Sequence, residues 1–281
     1  MKGKGGENMI IIPKTAYDFL FDKEHLSDYD MMLCKFDKSS SETVSMGSNI
    51  TFNTVKPAMS DTNFLSSTSY EETISATFQI CKNGCRTNCI EISSEEISMI
   101  TRWLCRKEYC KLKLFQDGYE DIYFVGSFNN PQLIKIGGKI SGLEITFVSN
   151  APYGYLDTVM LNFKTSTTSP FVINNFSHEI GNLYPSVFTC KCLEDGDLTI
   201  KNSLDTKDIV VNNCIKDEVI TLDGIHKIIS SNVVAHESIY NDFNYNFFRL
   251  VNTYYDFNNK ITTSIPCEIH IEYNPIRKVG I

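Results

Sequence analysis

Glu268-x-His270-x-Glu272 is the pattern in this chain that most invites chemistry. On a strand, residues two apart share a face, so two carboxylates and an imidazole would converge there. Such a trio could ligate a metal or move a proton. The alternate positions, Cys267, Ile269, Ile271 and Tyr273, form an apolar face, and the expectation is therefore a half-solvated strand showing its polar side to water. A second pattern is Cys81-x3-Cys85-x3-Cys89, with Cys105 and Cys110 nearby. Thiolates at that density could hold zinc or an iron–sulfur cluster, but zinc sites use two close Cys pairs and clusters a tighter run, so thiols without metal are expected. Cys190 and Cys192 share a strand face with Phe188 and read as buried apolar cysteines. His25, His178, His226 and His236 stand singly, outside any H-E-x-x-H motif. Gly138-x-x-Ser141-Gly142 is not a nucleophile elbow, Ile136-Gly137-Gly138-Lys139 reads as a hairpin turn and not a phosphate loop, and Asp195-Gly196-Asp197 is too short for a calcium loop. The sequence thus predicts no catalytic, cofactor-binding or metal-ligating residue, and no enzyme activity.

The elements that would carry these residues are mostly strands. Met9–Pro13 reads as a short edge strand ended by proline. Residues 38–69 are rich in Ser, Thr and Asn yet keep Ile50-Thr51-Phe52 and Thr54-Val55, which predicts an extended β-arm or long loop. Ile74, Ala76, Phe78 and Ile80 alternate with polar residues, a half-buried strand. Ser93 precedes Glu96 at capping-box spacing, and Ile97, Ile100, Trp103 and Leu104 follow at helical spacing, with Glu95 and Glu96 expected in the first turn and Arg106 and Lys107 in the last. Leu112, Leu114, the Gln116–Tyr119 turn and Ile122–Val125 predict a hairpin, then a strand over Lys139–Val148. Asn150–Tyr155 combines Pro, Gly and two aromatics and is the expected boundary between a domain over 1–150 and one over 151–281. Beyond it come short β runs at Val159–Phe163, Phe171–Phe176, Val187–Leu193, Leu198–Asn202, Ile209–Asn212, Val219–Leu222, Lys227–Ile229, Phe247–Val251 and Cys267–Tyr273. That spacing predicts a β-sandwich or jelly roll. The aromatic and Asn-rich tract Tyr240–Asn259 is expected as loop flanking the Phe247–Val251 strand.

Composition narrows the function classes. In 281 residues, 42% are hydrophobic and 21% charged, with a formal net charge of −8. These are globular values, and an acidic chain lacks the footprint of a phosphate-backbone binder. The N-terminal apolar run is four residues, too short for a secretory signal, and no stretch is long enough to span a membrane. A soluble cytoplasmic product is expected, with its ten Cys mostly as thiols.

The order of features resembles the distal tail protein family of tailed bacteriophages. In the first half the resemblance lies in the helix with Trp103-Leu104, the Lys111–Phe115 strand, Ile122–Gly126, and Gly142–Phe147 leading to Ala151-Pro152-Tyr153. In the second it lies in Ile220–Gly224, Phe247–Val251 and Pro266–Ile281. The resemblance implies a mainly β chain: an N-terminal belt-type β domain with one α-helix, and a C-terminal galectin-like β-sandwich. It implies that the belts close into a ring, commonly hexameric, joining the tail tube to the baseplate or tail-tip proteins, with DNA passing through the lumen as the only nucleic acid encountered. The protein would then be made in the host cytoplasm and reside at the virion tail tip. The galectin-like label does not imply sugar binding, because the single Trp, Trp103, falls in the first domain. A carbohydrate-binding adhesin, using Tyr240, Tyr245 or Tyr254, is the alternative reading.

Overall fold

The computed structural model describes residues 16–36, 49–84 and 91–280. The Met9–Pro13 strand expectation, Cys85 and Cys89 lie outside these residues, as does the part of the 38–69 arm before residue 49. The chain divides into two compact units, residues 1–154 with 279–281, and residues 155–278.

The first unit is a sheet with one α-helix among the described residues. Its strands are β1 (Asp18–Phe21), β2 (Glu24–His25), β3 (Met31–Cys34), β4 (Ile50–Val55), β5 (Phe64–Tyr70), β6 (Ser75–Lys82), β7 (Cys110–Phe115), β8 (Ile122–Ile136) and β9 (Lys139–Ser149). All but β4 and β5 join one sheet in the order β2-β1-β7-β8-β9-β6-β3. The predicted alternation in β6 places Phe78 and Ile80 inward, and β9 does the same with Leu143, Ile145 and Phe147. Between β8 and β9, Ile136 opposes Lys139 across Gly137-Gly138. Both glycines have positive φ, 60° and 83°, as a tight two-residue hairpin loop requires. Helix α1 (Ser94–Leu104) starts at the predicted capping box: Ser93 Oγ accepts from the Glu96 N–H, and the Glu96 carboxylate accepts from the Ser93 N–H. The helix ends one turn earlier than the sequence suggests. Cys105 is its C-cap, so Arg102 is the basic residue of its last turn, and Arg106 instead reaches Asp22. Trp103 is 3% exposed. It stacks on Phe19 at 5.8 Å and donates from Nε1 to the Phe21 carbonyl at 3.1 Å, which makes it core.

The second unit continues with β10 (Gly154–Leu156), β11 (Val159–Thr165), β12 (Phe171–Asn174), β13 (Gly181–Leu183), β14 (Val187–Cys192), β15 (Gly196–Asn202), β16 (Ile209–Cys214), β17 (Val219–Asp223), β18 (Ile228–Ser231), β19 (Leu250–Asn252), β20 (Asn258–Thr263), β21 (Cys267–Tyr273) and β22 (Ile276–Arg277). A five-stranded sheet, β11-β21-β14-β17-β18, faces a four-stranded one, β12-β20-β15-β16. Phe188, Ile220, Ile269 and Ile271 from the first pack with Ile173, Leu198, Ile200 and Ile261 from the second in one core. This is the expected sandwich. Two details differ from the sequence reading. The strand at Phe247–Val251 is confined to Leu250–Asn252, with Phe247 and Phe248 packing from the preceding loop. Residues 258–263, partly assigned to loop, form β20 in the middle of its sheet. Its inward residues are Asn259, Ile261 and Thr263, two of them polar. Asn259 is fully buried because its amide is satisfied: Nδ2 donates to the Val251 and Phe257 carbonyls, and Oδ1 accepts from Val251 N–H and Asn202.

Candidate functional site

The acidic strand is built as its alternation predicts. In β21, Cys267, Ile269, Ile271 and Tyr273 are buried, and Glu268, His270 and Glu272 lie on the opposite face. Glu268 pairs with Lys164 at 2.7 Å on β11, and that partner holds its carboxyl below the usual range. His270 Nε2 is 3.0 Å from Glu272 and its Nδ1 is 2.8 Å from Asn162. Glu268 and His270 are thus engaged by residues of β11 and Glu272 by His270 of its own strand, as on an ordinary polar sheet face.

Of the N-terminal cysteine motif, Cys81 is described. It lies on β6 with Cys34 on the adjoining β3. Burial, then the Cys81 thiol, pushes Cys34 well above the usual thiol range. Cys105 and Cys110 are both raised, chiefly by burial. Among the described residues no group of three or more His, Cys, Asp or Glu is arranged to hold a metal ion.

Two constellations escape linear reading because their members are far apart in sequence. The first is a set of four buried thiols, Cys190 and Cys192 on β14, Cys214 ending β16, and Cys267 starting β21. The second centres on Glu218, which has no exposed surface. Its carboxylate accepts from the Ile215 N–H at 3.0 Å and lies 2.7 Å from His236 Nδ1, with Ser231 Oγ donating to it as well. His236 Nε2 lies 3.4 Å from Asp242. Since Ser231 bonds the carboxylate and not the imidazole, the arrangement does not activate a nucleophile. It satisfies a buried carboxyl group and ties the loop over 231–242 to the sandwich.

A shallow cavity of about 530 Å³ lies beside α1, lined by Glu24, Tyr29, Trp103, Arg106 and Glu108 among others. Tyr29 stacks on Trp103 at 4.6 Å and donates to Glu24. Burial, reinforced by Glu24, pushes its hydroxyl up to about 12. The Arg106 guanidinium binds Asp22, so two of the polar groups at the cavity, Tyr29 and Arg106, are already held by carboxylates.

The feature left without an internal role is the arm. Among the described residues, strands β4 and β5 pair only with each other, from Ile50 opposite Tyr70 to Val55 opposite Phe64. The base is fixed by Glu71 N–H to the Asn49 carbonyl at 3.0 Å. Beyond it both faces are open: Phe52 is 63% exposed and Phe64 59%, with Ile50, Val55, Met59 and Leu65 also exposed. An isolated two-stranded ribbon is marginal in water, and large apolar side chains exposed on it are the kind of surface that a partner covers.

None of the curated proteins matches the chain. Over 92% of its length the chain is similar in fold to 99% of the crystal structure of SPP1 Dit, titled a paradigm of hub adsorption apparatus in Gram-positive infecting phages, with 12% identity and a TM-score of 0.61. The phage P2 baseplate in its activated conformation with Ca is matched at 10% identity over 92% of this chain and 98% of that one, with a TM-score of 0.38 too low to support an argument. A family model described as the phage tail protein N-terminal domain matches residues 14–151, and one described as the phage tail C-terminal domain matches residues 153–273. With these two consecutive matches spanning nearly its whole length, the chain belongs to the phage tail protein family that they describe, and its mainly β fold is shared with the solved SPP1 Dit structure.

Proposed function

We propose that this protein forms the distal tail hub: a closed ring of identical copies, six by the family expectation, that joins the tail tube to the baseplate or tail-tip proteins. In this reading DNA passes through the lumen, the ring is assembled in the host cytoplasm, and the protein works without catalysis. The observation that carries the proposal is the β4–β5 arm. Each large apolar side chain moved out of water contributes about 1.5–3 kcal/mol before the costs of association. The arm holds six such side chains with substantial exposure, Ile50, Phe52, Val55, Met59, Phe64 and Leu65, and among the described residues no further strand pairs with its two edges. A neighbouring copy covers both hazards, and a ring does so for every copy at once.

Light scattering on the purified chain tests this. A ring-sized mass is expected, and Phe52→Asp with Phe64→Asp should reduce it to a monomer while far-ultraviolet circular dichroism stays unchanged. A wild-type chain that stays monomeric at tens of micromolar, alone and with tail tube protein, refutes the ring.

A second reading, an adhesin for a host surface polymer, is favoured by one observation. Tyr240, Tyr245, Tyr254 and Tyr255 of the second unit all face solvent, as sugar-stacking rings must. It requires glycan binding that Tyr254→Ala abolishes without altering the oligomer, and a glycan array without hits removes it.

A further inference from the structure

The four thiols inside the sandwich are not equivalent. Leu193 N–H donates to the Pro266 carbonyl at 3.0 Å, so that pair is a hydrogen-bonded position of the β14–β21 ladder. The next pair along is Cys192 opposite Cys267. Cys192 spends its own backbone groups on the other side: its N–H donates to Glu218 O at 2.9 Å, and its carbonyl accepts from Asp217 N–H at 2.8 Å. Cys192 and Cys267 therefore occupy a non-hydrogen-bonded antiparallel pair. There the Cα atoms lie about 4.5 Å apart with side chains on one face, within the roughly 4.4–6.8 Å a disulfide spans. Both side chains point inward, and the Cys267 thiol contacts those of Cys190 and Cys192. Cys190 is opposite Ile269, making it a diagonal neighbour of Cys267 at roughly 7–8 Å, beyond that span. Cys214 touches Cys192 from the facing sheet.

From this register we propose that Cys192 and Cys267 are a disulfide-forming pair, a redox modification site that closes the mouth of the β14–β21 ladder when the protein meets an oxidising thiol–disulfide pool. The oxidant is a small-molecule disulfide. One cysteine thiolate attacks it, forming a mixed disulfide and expelling one small thiolate, which takes up the proton the cysteine lost. The second cysteine thiolate attacks the protein-side sulfur and expels the other, so two cysteine thiols and one small disulfide become one protein disulfide and two small thiols. Although both residues are buried, Cys192 ends its strand and Cys267 begins its own, so fraying of the ladder end is enough to admit the oxidant. Among the described residues all the cysteines are thiols, the reduced form expected in a cytoplasm. An oxidising exterior favours the bond. The proposal stands apart from the ring reading.

Trypsin places the four thiols on separate peptides: 165–191 carries Cys190, 192–201 Cys192, 208–216 Cys214 and 261–277 Cys267. The native full chain is incubated with oxidised glutathione, quenched with N-ethylmaleimide, denatured, digested and analysed by mass spectrometry. The expected product is peptide 192–201 joined to 261–277, lighter by two hydrogen atoms than the pair and separated by dithiothreitol. Cys190→Ala and Cys214→Ala should retain this product and Cys267→Ala should lose it. Oxidation should raise the melting temperature of the wild type but not of Cys267→Ala. Full alkylation of Cys192 and Cys267 at saturating oxidant, a glutathione adduct without the cross-link, or linkage of Cys192 to the Cys190 or Cys214 peptide each overturns the proposal.

Discussion

At the scale of single residues, Asp205 and Arg249 form a bidentate polar anchor in the sandwich. The guanidinium donates from Nε and from an Nη to the two carboxylate oxygens, both at 2.6 Å, and the Lys207 N–H adds a third bond at 3.0 Å. Burial alone would raise the Asp205 carboxyl, but Arg249 and the Lys207 amide outweigh it and hold it below the usual range. A carboxyl depressed in the folded state adds stability that is fully present above its unfolded value, near 3.9, and is lost as pH falls through the folded value. Asp205→Asn should therefore cost about 1.5–3 kcal/mol at neutral pH, and the gap to wild type should narrow on acidification below about pH 4. Urea unfolding at a series of pH values checks it; a gap that widens toward acid contradicts the assignment. Asp205 and Arg249 are 44 residues apart, so nothing local announces the pair. The Glu268 face was legible because strand periodicity alone fixes it.

Elements were legible where the local chemistry is self-contained. The capping box of α1 needs only Ser93 and Glu96, three residues apart, and the structure adds that Lys82 on β6 grips the same carboxylate at 2.8 Å. Lys82, ahead of the Ser93 N–H, holds Glu96 below the usual range. Ser93→Ala should cost about 1 kcal/mol. Glu96→Ala should cost more, because it removes both the cap and the Lys82 contact, and in a double-mutant cycle Ser93→Ala and Glu96→Ala should be non-additive. Additive losses in urea unfolding would show that the two caps act separately. Conversely, β20 hid from the hydrophobic pattern because its inward positions include Asn259 and Thr263. Only the partners on β15, β19 and the 253–257 turn make a buried asparagine affordable, and those contacts are tertiary. The C-terminal end of α1 was misplaced for a similar reason: Arg106 suits a helix C-terminus, but Asp22, 84 residues away, recruits it.

At the scale of the whole molecule, the apolar arm and the sandwich point to a division of labour. We propose that residues 1–150 form the ring-building domain and residues 151–281 an appended β-sandwich of galectin-like type. Each part has its own buried core: Phe19, Phe78, Trp103 and Phe147 in the first, and the cluster around Phe188, Ile200 and Ile271 in the second. Each should therefore unfold cooperatively by itself. The first unit also includes residues 279–281, and the Tyr119 hydroxyl donates to the Gly280 carbonyl at 2.9 Å. A 1–150 fragment forfeits that bond and the two that Ile74 N–H and Ser149 Oγ donate to the Ala151 carbonyl, and should be less stable than the same unit in the full chain by about 1 kcal/mol for each. Because the β4–β5 arm belongs to it, the 1–150 fragment should self-associate as the full chain does, whereas 151–281 should remain monomeric. Analytical ultracentrifugation of the two fragments separates the outcomes. Association confined to 151–281 would move ring building to the sandwich, and failure of either fragment to fold would show that the boundary divides a single cooperative unit.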